Sequence, residues 1–198
     1  MFYDSNNLET IIIDGGVNSI GDDAFYNCGK LKNVTFESSA NPLTMGYQPS
    51  STDDVGAFYQ SPLAYIYLDR EIVPSEEYKK QLDAWDMGVF TNKHYKDKSL
   101  TTTVTIGSNV TKILDWMFCC VRMQSVEIPA SVTSIGKQAF AWDYILEKVT
   151  CKGNTAPTLG ADVFEDCDEL GSITIPAGES VLNDYKSKWS QYKGKLRQ

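Results

Sequence analysis

The chain has 198 residues, 42% of them hydrophobic and 22% charged, which is ordinary for a folded protein of one large domain or two small ones. Its net charge of −8, from 18 Lys and Arg against 26 Asp and Glu, argues against nucleic acid as a partner, because a duplex would repel it. No stretch approaches the roughly 18 consecutive apolar residues of a membrane-spanning helix, so we expect no membrane insertion, and the first residues lack the pattern of a signal peptide.

The chain opens with a hydrophobic pattern that returns along most of its length. The set Phe2, Leu8, Ile11 and Ile13 recurs 23 residues later as Phe25, Leu31, Val34 and Phe36. Comparable sets begin at Phe118, Phe140 and Phe164, and a V-x-x-I motif precedes several of these phenylalanines. Self-similarity at a fixed period indicates a repeat architecture, in which stacked units share one continuous core.

Each repeat unit contains one short predicted strand. Two apolar positions separated by one residue, as in Val126 and Ile128, are typical of a strand with one buried face. Seven such strands are predicted, at Ile11, Val34, Ile66, Val104, Val126, Val149 and Ile173. A strand that returns once per coil can pair only with its equivalent in the next coil, in parallel. The sequence therefore predicts a mainly β repeat solenoid with short helical turns, filled by a column of phenylalanines at positions 25, 58, 118, 140 and 164.

Two segments have the pattern of helices that close the end of a solenoid. Ser75 is a suitable N-cap for the first, in which Tyr78, Leu82 and Trp85 form one apolar stripe. The second runs from Pro176 to Trp189. A helix over the last coil would hide its core and its strand edge. We therefore predict two subarrays, residues 1–98 with an internal cap and residues 99–198 with a C-terminal cap.

Residue types that carry catalytic or metal chemistry are sparse. The single histidine, His94, lies in a polar tract, and no G-x-S-x-G motif is present. The acidic stretches lack the spacing of a calcium loop. The five cysteines are predicted to be buried free thiols, with adjacent Cys119 and Cys120 facing different environments. We expect no catalytic site, no metal and no cofactor.

The side chains between the buried strand positions should form an outward face. Alternate strand residues point away from the core, and solenoids use this broad face for recognition. Two aromatics stand side by side there, Tyr65 and Tyr67. The residues predicted to bind ligand with them are Asn33, Thr35, Thr103 and Thr105. The alternative is that residues 86–99 fold over the tyrosines and make them part of the core.

The repeat unit resembles a known family. Residues 20–28, Ile-Gly-Asp-Asp-Ala-Phe-Tyr-Asn-Cys, and residues 132–140 are similar to BspA-like leucine-rich repeats, which occur in secreted and surface proteins of Bacteroidetes. The similarity covers nearly the whole chain except about 86–99 and the loop 44–54. It implies a leucine-rich-repeat-like, right-handed parallel β solenoid with a C-terminal helical cap.

The same resemblance implies a function and a location. The expected role is a non-enzymatic binding or adhesion module, on the cell surface or secreted, for an extracellular protein or glycan. The alternative is a structural spacer that displays other domains. The ligand and the oligomeric state stay open.

Overall fold

The computed structural model describes residues 2–21, 23–46, 57–75, 88–90 and 99–198, which form a stack of coils around one elongated core. Almost every element is a short strand. The elements are β1 (Thr10–Ile13), β2 (Ser19–Ile20), β3 (Asn33–Phe36), β4 (Leu43–Met45), β5 (Tyr65–Leu68), β6 (Ile72–Pro74), β7 (Thr103–Ile106), β8 (Lys112–Ile113), β9 (Ser125–Ile128), β10 (Ser134–Ile135), β11 (Lys148–Cys151), β12 (Thr158–Leu159), β13 (Ser172–Thr174), α1 (Glu179–Lys188), a 3-10 helix (Ser190–Lys195) and β14 (Leu196–Arg197).

All seven predicted strands are confirmed, and each pairs in parallel with its neighbours. They form an N-terminal sheet of order β1-β3-β5-β7 and a C-terminal sheet that begins β9-β11-β13. The register aligns equivalent repeat positions, so that Ile11, Val34, Ile66 and Val104 lie side by side. The two large sheets contain one further strand, β14, which follows the terminal helix and pairs with β13. This strand was not predicted. Strands β7 and β9 lie next to each other without a ladder between them, so the column of strands is divided there.

A second, narrower pair of sheets forms the other side of each coil. Its strands have the orders β2-β4-β6 and β8-β10-β12. In β2, β8 and β10 the V-x-x-I motif ends in a buried isoleucine at position 20, 113 or 135. The sequence showed this motif but did not indicate that it forms strands.

The predicted phenylalanine column is confirmed and is longer than expected. The rings at positions 2, 25, 58, 90, 118, 140 and 164 stack in order with centroids 5.0–5.7 Å apart. Phe90 corrects the expectation that residues 86–99 lie outside the repeat, because it stands between Phe58 and Phe118 in the column. One continuous aromatic stack therefore joins the coils on both sides of the predicted boundary after residue 98.

The phenylalanine turns have a repeated backbone geometry. A non-glycine residue with positive φ, between 51° and 59°, precedes or follows most of the stacked phenylalanines by two positions, as Asp23 and Asn27 do around Phe25. Asp and Asn tolerate this left-handed region better than other side chains do. Between these bends, backbone amides donate to the next coil, for example Phe25 to Ala57 at 2.8 Å. The coils are therefore hydrogen-bonded to each other on the turn side as well as through the sheets.

A column of small polar side chains runs beside the phenylalanines. The Ser61 hydroxyl donates to the Phe25 carbonyl at 2.6 Å, and the Cys28 and Cys167 thiols donate in the same way to the carbonyls of Phe2 and Phe140. All five cysteines are buried free thiols. The expectation for Cys119 and Cys120 was wrong, because both lie in one buried cluster with Trp116 and their Sγ atoms are 3.4 Å apart.

The predicted C-terminal cap is confirmed. Trp189 and Tyr185, at the end of α1, are fully buried, and Trp189 packs on Phe164 at the end of the phenylalanine column. Their polar atoms are satisfied, since the Tyr185 hydroxyl donates to Gly153 O and the Trp189 indole donates to Pro157 O. The cap thus replaces the next coil both in packing and in hydrogen bonding.

Two other expectations concern the middle of the chain. The predicted first cap helix, with Tyr78, Leu82 and Trp85, and His94 lie outside the described residues. The division into subarrays 1–98 and 99–198 stays a prediction, and β5 pairs with β7 across that position.

None of the helices in the described part of the chain is long and apolar enough to cross a membrane.

Candidate functional site

The six residues predicted to bind ligand lie together on the outward face of the N-terminal sheet. Tyr65 pairs in register with Asn33 on one side and Thr103 on the other, and Tyr67 pairs in the same way with Thr35 and Thr105. Because neighbouring strands are about 4.8 Å apart, the six side chains form a compact grid of two rows. The structure therefore brings together every residue of the predicted site, while its binding role stays a prediction.

The first strand extends this grid by one more column. Thr10 pairs with Asn33, and Ile12 pairs with Thr35. Ile12 is 59% exposed, although isoleucine is among the residue types most often fully buried. We call the resulting set the neutral face, because none of its members is charged. It consists of Thr10, Ile12, Asn33, Thr35, Tyr65, Tyr67, Thr103 and Thr105.

The two tyrosines differ in their surroundings. Tyr65 is 39% exposed, whereas Tyr67 is half-buried between its neighbours. Burial raises the pKa of the Tyr67 phenol, and the nearby Asp69 carboxylate and Tyr65 raise it further. Tyr67 therefore stays protonated at neutral pH. Each tyrosine offers an aromatic surface and a hydroxyl that can donate or accept a hydrogen bond.

A line of carboxylates borders the neutral face and was not singled out from the sequence. Asp14, Glu37 and Asp69 each follow directly after β1, β3 and β5. The ladder continues through them, because the Glu37 amide donates to Ile13 O and the Asp69 amide donates to Phe36 O. We call these three residues the acidic edge. The signal was present in the sequence, since each occupies the same repeat position after a predicted strand.

The carboxylates of the acidic edge form no ion pair in the part of the chain that the structure describes, although the Arg70 guanidinium donates to the main-chain carbonyl of Asp14 at 3.2 Å. Two of these carboxylates do accept local hydrogen bonds. Asp14 accepts from the Gly16 amide at 2.7 Å, and Asp69 accepts from the Asn109 amide and side chain at 3.0 and 3.1 Å. These bonds hold two of the three carboxylates in place at the border of the face.

Other regions of the described chain offer little reactive chemistry. Burial raises the pKa of the Cys151 and Cys167 thiols to about 12, so both stay protonated and are poor nucleophiles. Among the described residues, no group of three or more His, Cys, Asp or Glu side chains could hold a metal. A groove of about 400 Å³ lies along β8, β10 and β12 and is bordered by Pro74. It belongs to the second set of sheets and does not include the tyrosines.

Comparison with known proteins agrees with this architecture. The family of BspA type leucine rich repeat regions matches the chain in six copies, over residues 1–78 and 89–191. The match includes the loop 44–54 and begins again at Val89, so the repeat extends further than the sequence resemblance suggested. No curated protein matches the chain.

Two solved structures are similar to parts of this chain. One is a leucine rich cell surface protein from Faecalibacterium prausnitzii A2-165, with 17% identity, a TM-score of 0.38, and coverage of 92% of this chain and 64% of that one. The other is a leucine-rich repeat protein from Bacteroides ovatus ATCC 8483, with 16% identity, a TM-score of 0.39, and coverage of 88% and 57%. The chain thus spans less than two thirds of either protein. With six repeat copies matched over most of its length, the chain belongs to the BspA-type leucine-rich repeat family.

Proposed function

We propose that this chain is a non-enzymatic binding module that holds a macromolecular ligand on the neutral face of its N-terminal sheet. The observation that supports this proposal most directly is the exposure of aromatic and aliphatic side chains on a face that has no charged residue. Tyr65 is 39% exposed and Ile12 is 59% exposed. Leucine-rich repeat families are generally interaction modules, which agrees with this role.

The rigidity of the scaffold supports the proposal. The neutral face lies on four paired strands whose inward residues, such as Val34 and Ile66, are fully buried. A preformed face loses little conformational entropy on binding, so more of its contact energy is available for affinity. We further propose that the protein acts on the cell surface or is secreted, since one of the two structural neighbours is described as a cell surface protein.

The test is a double substitution, Tyr65→Ala with Tyr67→Ala, assayed against a panel of extracellular matrix proteins and a glycan array. We expect binding to be lost, while the melting temperature stays within about 2 °C of the wild type, as for surface substitutions. The matched control is Tyr144→Ala, which removes another exposed tyrosine, 54% accessible, far from the face. A double variant that loses several kcal/mol of stability, or that still binds, would refute the assignment.

A further inference from the structure

We infer that the partner of the neutral face is a protein surface with an apolar centre and Lys or Arg side chains along one border. This inference rests on the proposed function and specifies the partner of the same site. Three observations carry it: the chemistry of the face, the charge of its two borders, and the contrast with the C-terminal sheet.

The composition of the face matches the centre of a protein interface. Interface cores are depleted in charged residues and enriched in tyrosine, and tyrosine is among the residues that carry most binding energy. The neutral face has no charged side chain over four strands, and its exposed members include Tyr65 and Ile12. An exposed isoleucine gains most from an apolar partner surface, because it offers no hydrogen bond to a sugar.

The two borders of the neutral face differ in charge. On the side where the strands end, the acidic edge presents Asp14, Glu37 and Asp69, whose carboxylates form no ion pair with any described residue. On the side where the strands begin, the equivalent positions are Glu9, Lys32, Ala64 and Thr102, which carry one charge of each sign. A complementary partner therefore places its basic side chains over the acidic edge only.

The C-terminal sheet shows that this arrangement is not a general property of the coils. Its outward positions include Glu127, Lys148 and Arg197, and Glu127 already has a cationic partner in Lys152 at 3.0 Å. The positions after its strands β9 and β11 are Pro129 and Lys152. Of the two large sheets in the described part of the chain, the N-terminal one alone combines an uncharged face with an acidic edge that forms no ion pair.

The experiment uses a random 12-residue peptide library displayed on phage, selected on the full chain and counter-selected on the Tyr65→Ala, Tyr67→Ala variant. We expect the enriched peptides to combine aromatic or aliphatic residues with Lys or Arg. A synthetic copy of an enriched peptide should bind the tyrosine variant roughly tenfold or more weakly, as at an interface hot spot.

The acidic edge is tested with the same peptide. The variant Asp14→Asn with Glu37→Gln should weaken binding and reduce its dependence on salt, because rim charges act mainly through screened attraction. The matched control, Asp168→Asn with Glu169→Gln, makes the same change of net charge at exposed turn residues and should leave binding unchanged.

The outcomes separate this inference from the proposed function. If no peptide is enriched, or if enriched peptides are acidic or bind the tyrosine variant equally well, the inference is overturned. If the glycan array instead gives a ligand that the tyrosine variant loses, the partner is a glycan and the proposed function survives. If neither peptides, matrix proteins nor glycans depend on the tyrosines, both the inference and the proposed function fail.

Discussion

The two large sheets have the same interior and different exteriors. Inward positions are the same kind of residue in both, for example Val34 in β3 and Val149 in β11, and both are fully buried. Outward positions differ, since the N-terminal sheet presents Tyr65 and Tyr67 where the C-terminal sheet presents Ser, Thr and charged residues. The stack therefore constrains the inward residues and leaves the outward ones free, so that the chemistry of the exposed face can change between coils without changing the fold.

The ends of the two sheets are also stabilised differently. The C-terminal sheet ends in β14 and is covered by α1. The N-terminal sheet instead has one buried arginine, Arg70, in the turn that follows β5. Arg70 is fully buried, and its guanidinium donates to Asp14 O at 3.2 Å and to Asn41 O at 2.7 Å. It thereby ties together three successive coils.

The largest effect is expected from removing the C-terminal cap. Truncation after Pro176 deletes Tyr185 and Trp189, whose rings bury roughly 150 Å² or more each. At about 25 cal/mol per Å², this loss is on the order of 7 kcal/mol, comparable with the stability of a whole domain. We expect aggregation or loss of the cooperative unfolding transition, measured by urea denaturation and light scattering. Removing only Gln198 is the control, and a soluble truncated monomer with an unchanged midpoint would contradict the role of the cap.

The next effect concerns a buried carboxyl in the C-terminal half. Asp143 is fully buried and accepts hydrogen bonds from the Met123 and Ile145 amides. Burial raises its pKa from 3.8 to about 7 in spite of these bonds. Between these values the folded state holds the proton more tightly than the unfolded chain does. The contribution of Asp143 to stability is therefore present below about pH 4 and is lost as the pH rises through about 7.

The variant Asp143→Asn tests this dependence, because asparagine has no proton to lose. Relative to the variant, the wild type should lose up to about 4 kcal/mol between pH 4 and pH 8. The measurement is the free energy of urea unfolding across that range. Asp168→Asn, at an exposed position of the next coil, is the control for the change in charge. Parallel curves for the wild type and Asp143→Asn would show that the carboxyl does not titrate in this range.

The buried arginine predicts an intermediate effect in the N-terminal half. Arg70→Ala removes the guanidinium donor from the carbonyls of Asp14 and Asn41 and opens a cavity in place of a fully buried side chain, so we expect a loss of about 2–4 kcal/mol. Arg70→Lys keeps a donor and should restore part of that loss. Urea midpoints of both variants measure the effect, with the exposed Arg197→Ala as the control. If the urea midpoint of Arg70→Ala equals that of the wild type, Arg70 does not stabilise the N-terminal half.

The sequence predicted the seven strands of the two large sheets and missed several shorter or isolated features. The seven long strands were found because Val-x-Ile pairs return with the period of the coil. Strands such as β2 and β14 have only two residues, too few to show alternation. Phe90 was missed because the residues that follow it do not keep the spacing between the phenylalanine and the next strand that the other repeats have. Asp143 gave no signal, because its burial depends on the amides that the neighbouring coil directs at it.

The arrangement of the candidate site was predictable from the repeat, whereas the exposure of its side chains was not. Parallel register places Asn33, Tyr65 and Thr103 together once the repeat is aligned, so their neighbourhood followed from the sequence. The acidic edge was equally accessible, because Asp14, Glu37 and Asp69 share one repeat position. The exposure of Ile12 and Tyr65 could not be predicted, because it depends on whether other parts of the chain pack over the face, and the repeat pattern carries no information on that.

The smallest effect is expected on the outward face of the C-terminal sheet. Glu127 and Lys152 form an ion pair at 3.0 Å whose side chains are 62% and 51% exposed. Exposed pairs contribute about 0–1 kcal/mol, because water and salt screen the attraction and two long side chains are ordered. Glu127→Ala with Lys152→Ala should therefore change the free energy of unfolding by less than about 1 kcal/mol. It should also leave binding intact, whereas Tyr65→Ala with Tyr67→Ala should abolish binding with a similarly small change in stability. Measuring both variants with one ligand decides which sheet recognises it, and a ligand lost only on the Glu127 and Lys152 variant would place recognition on the C-terminal sheet.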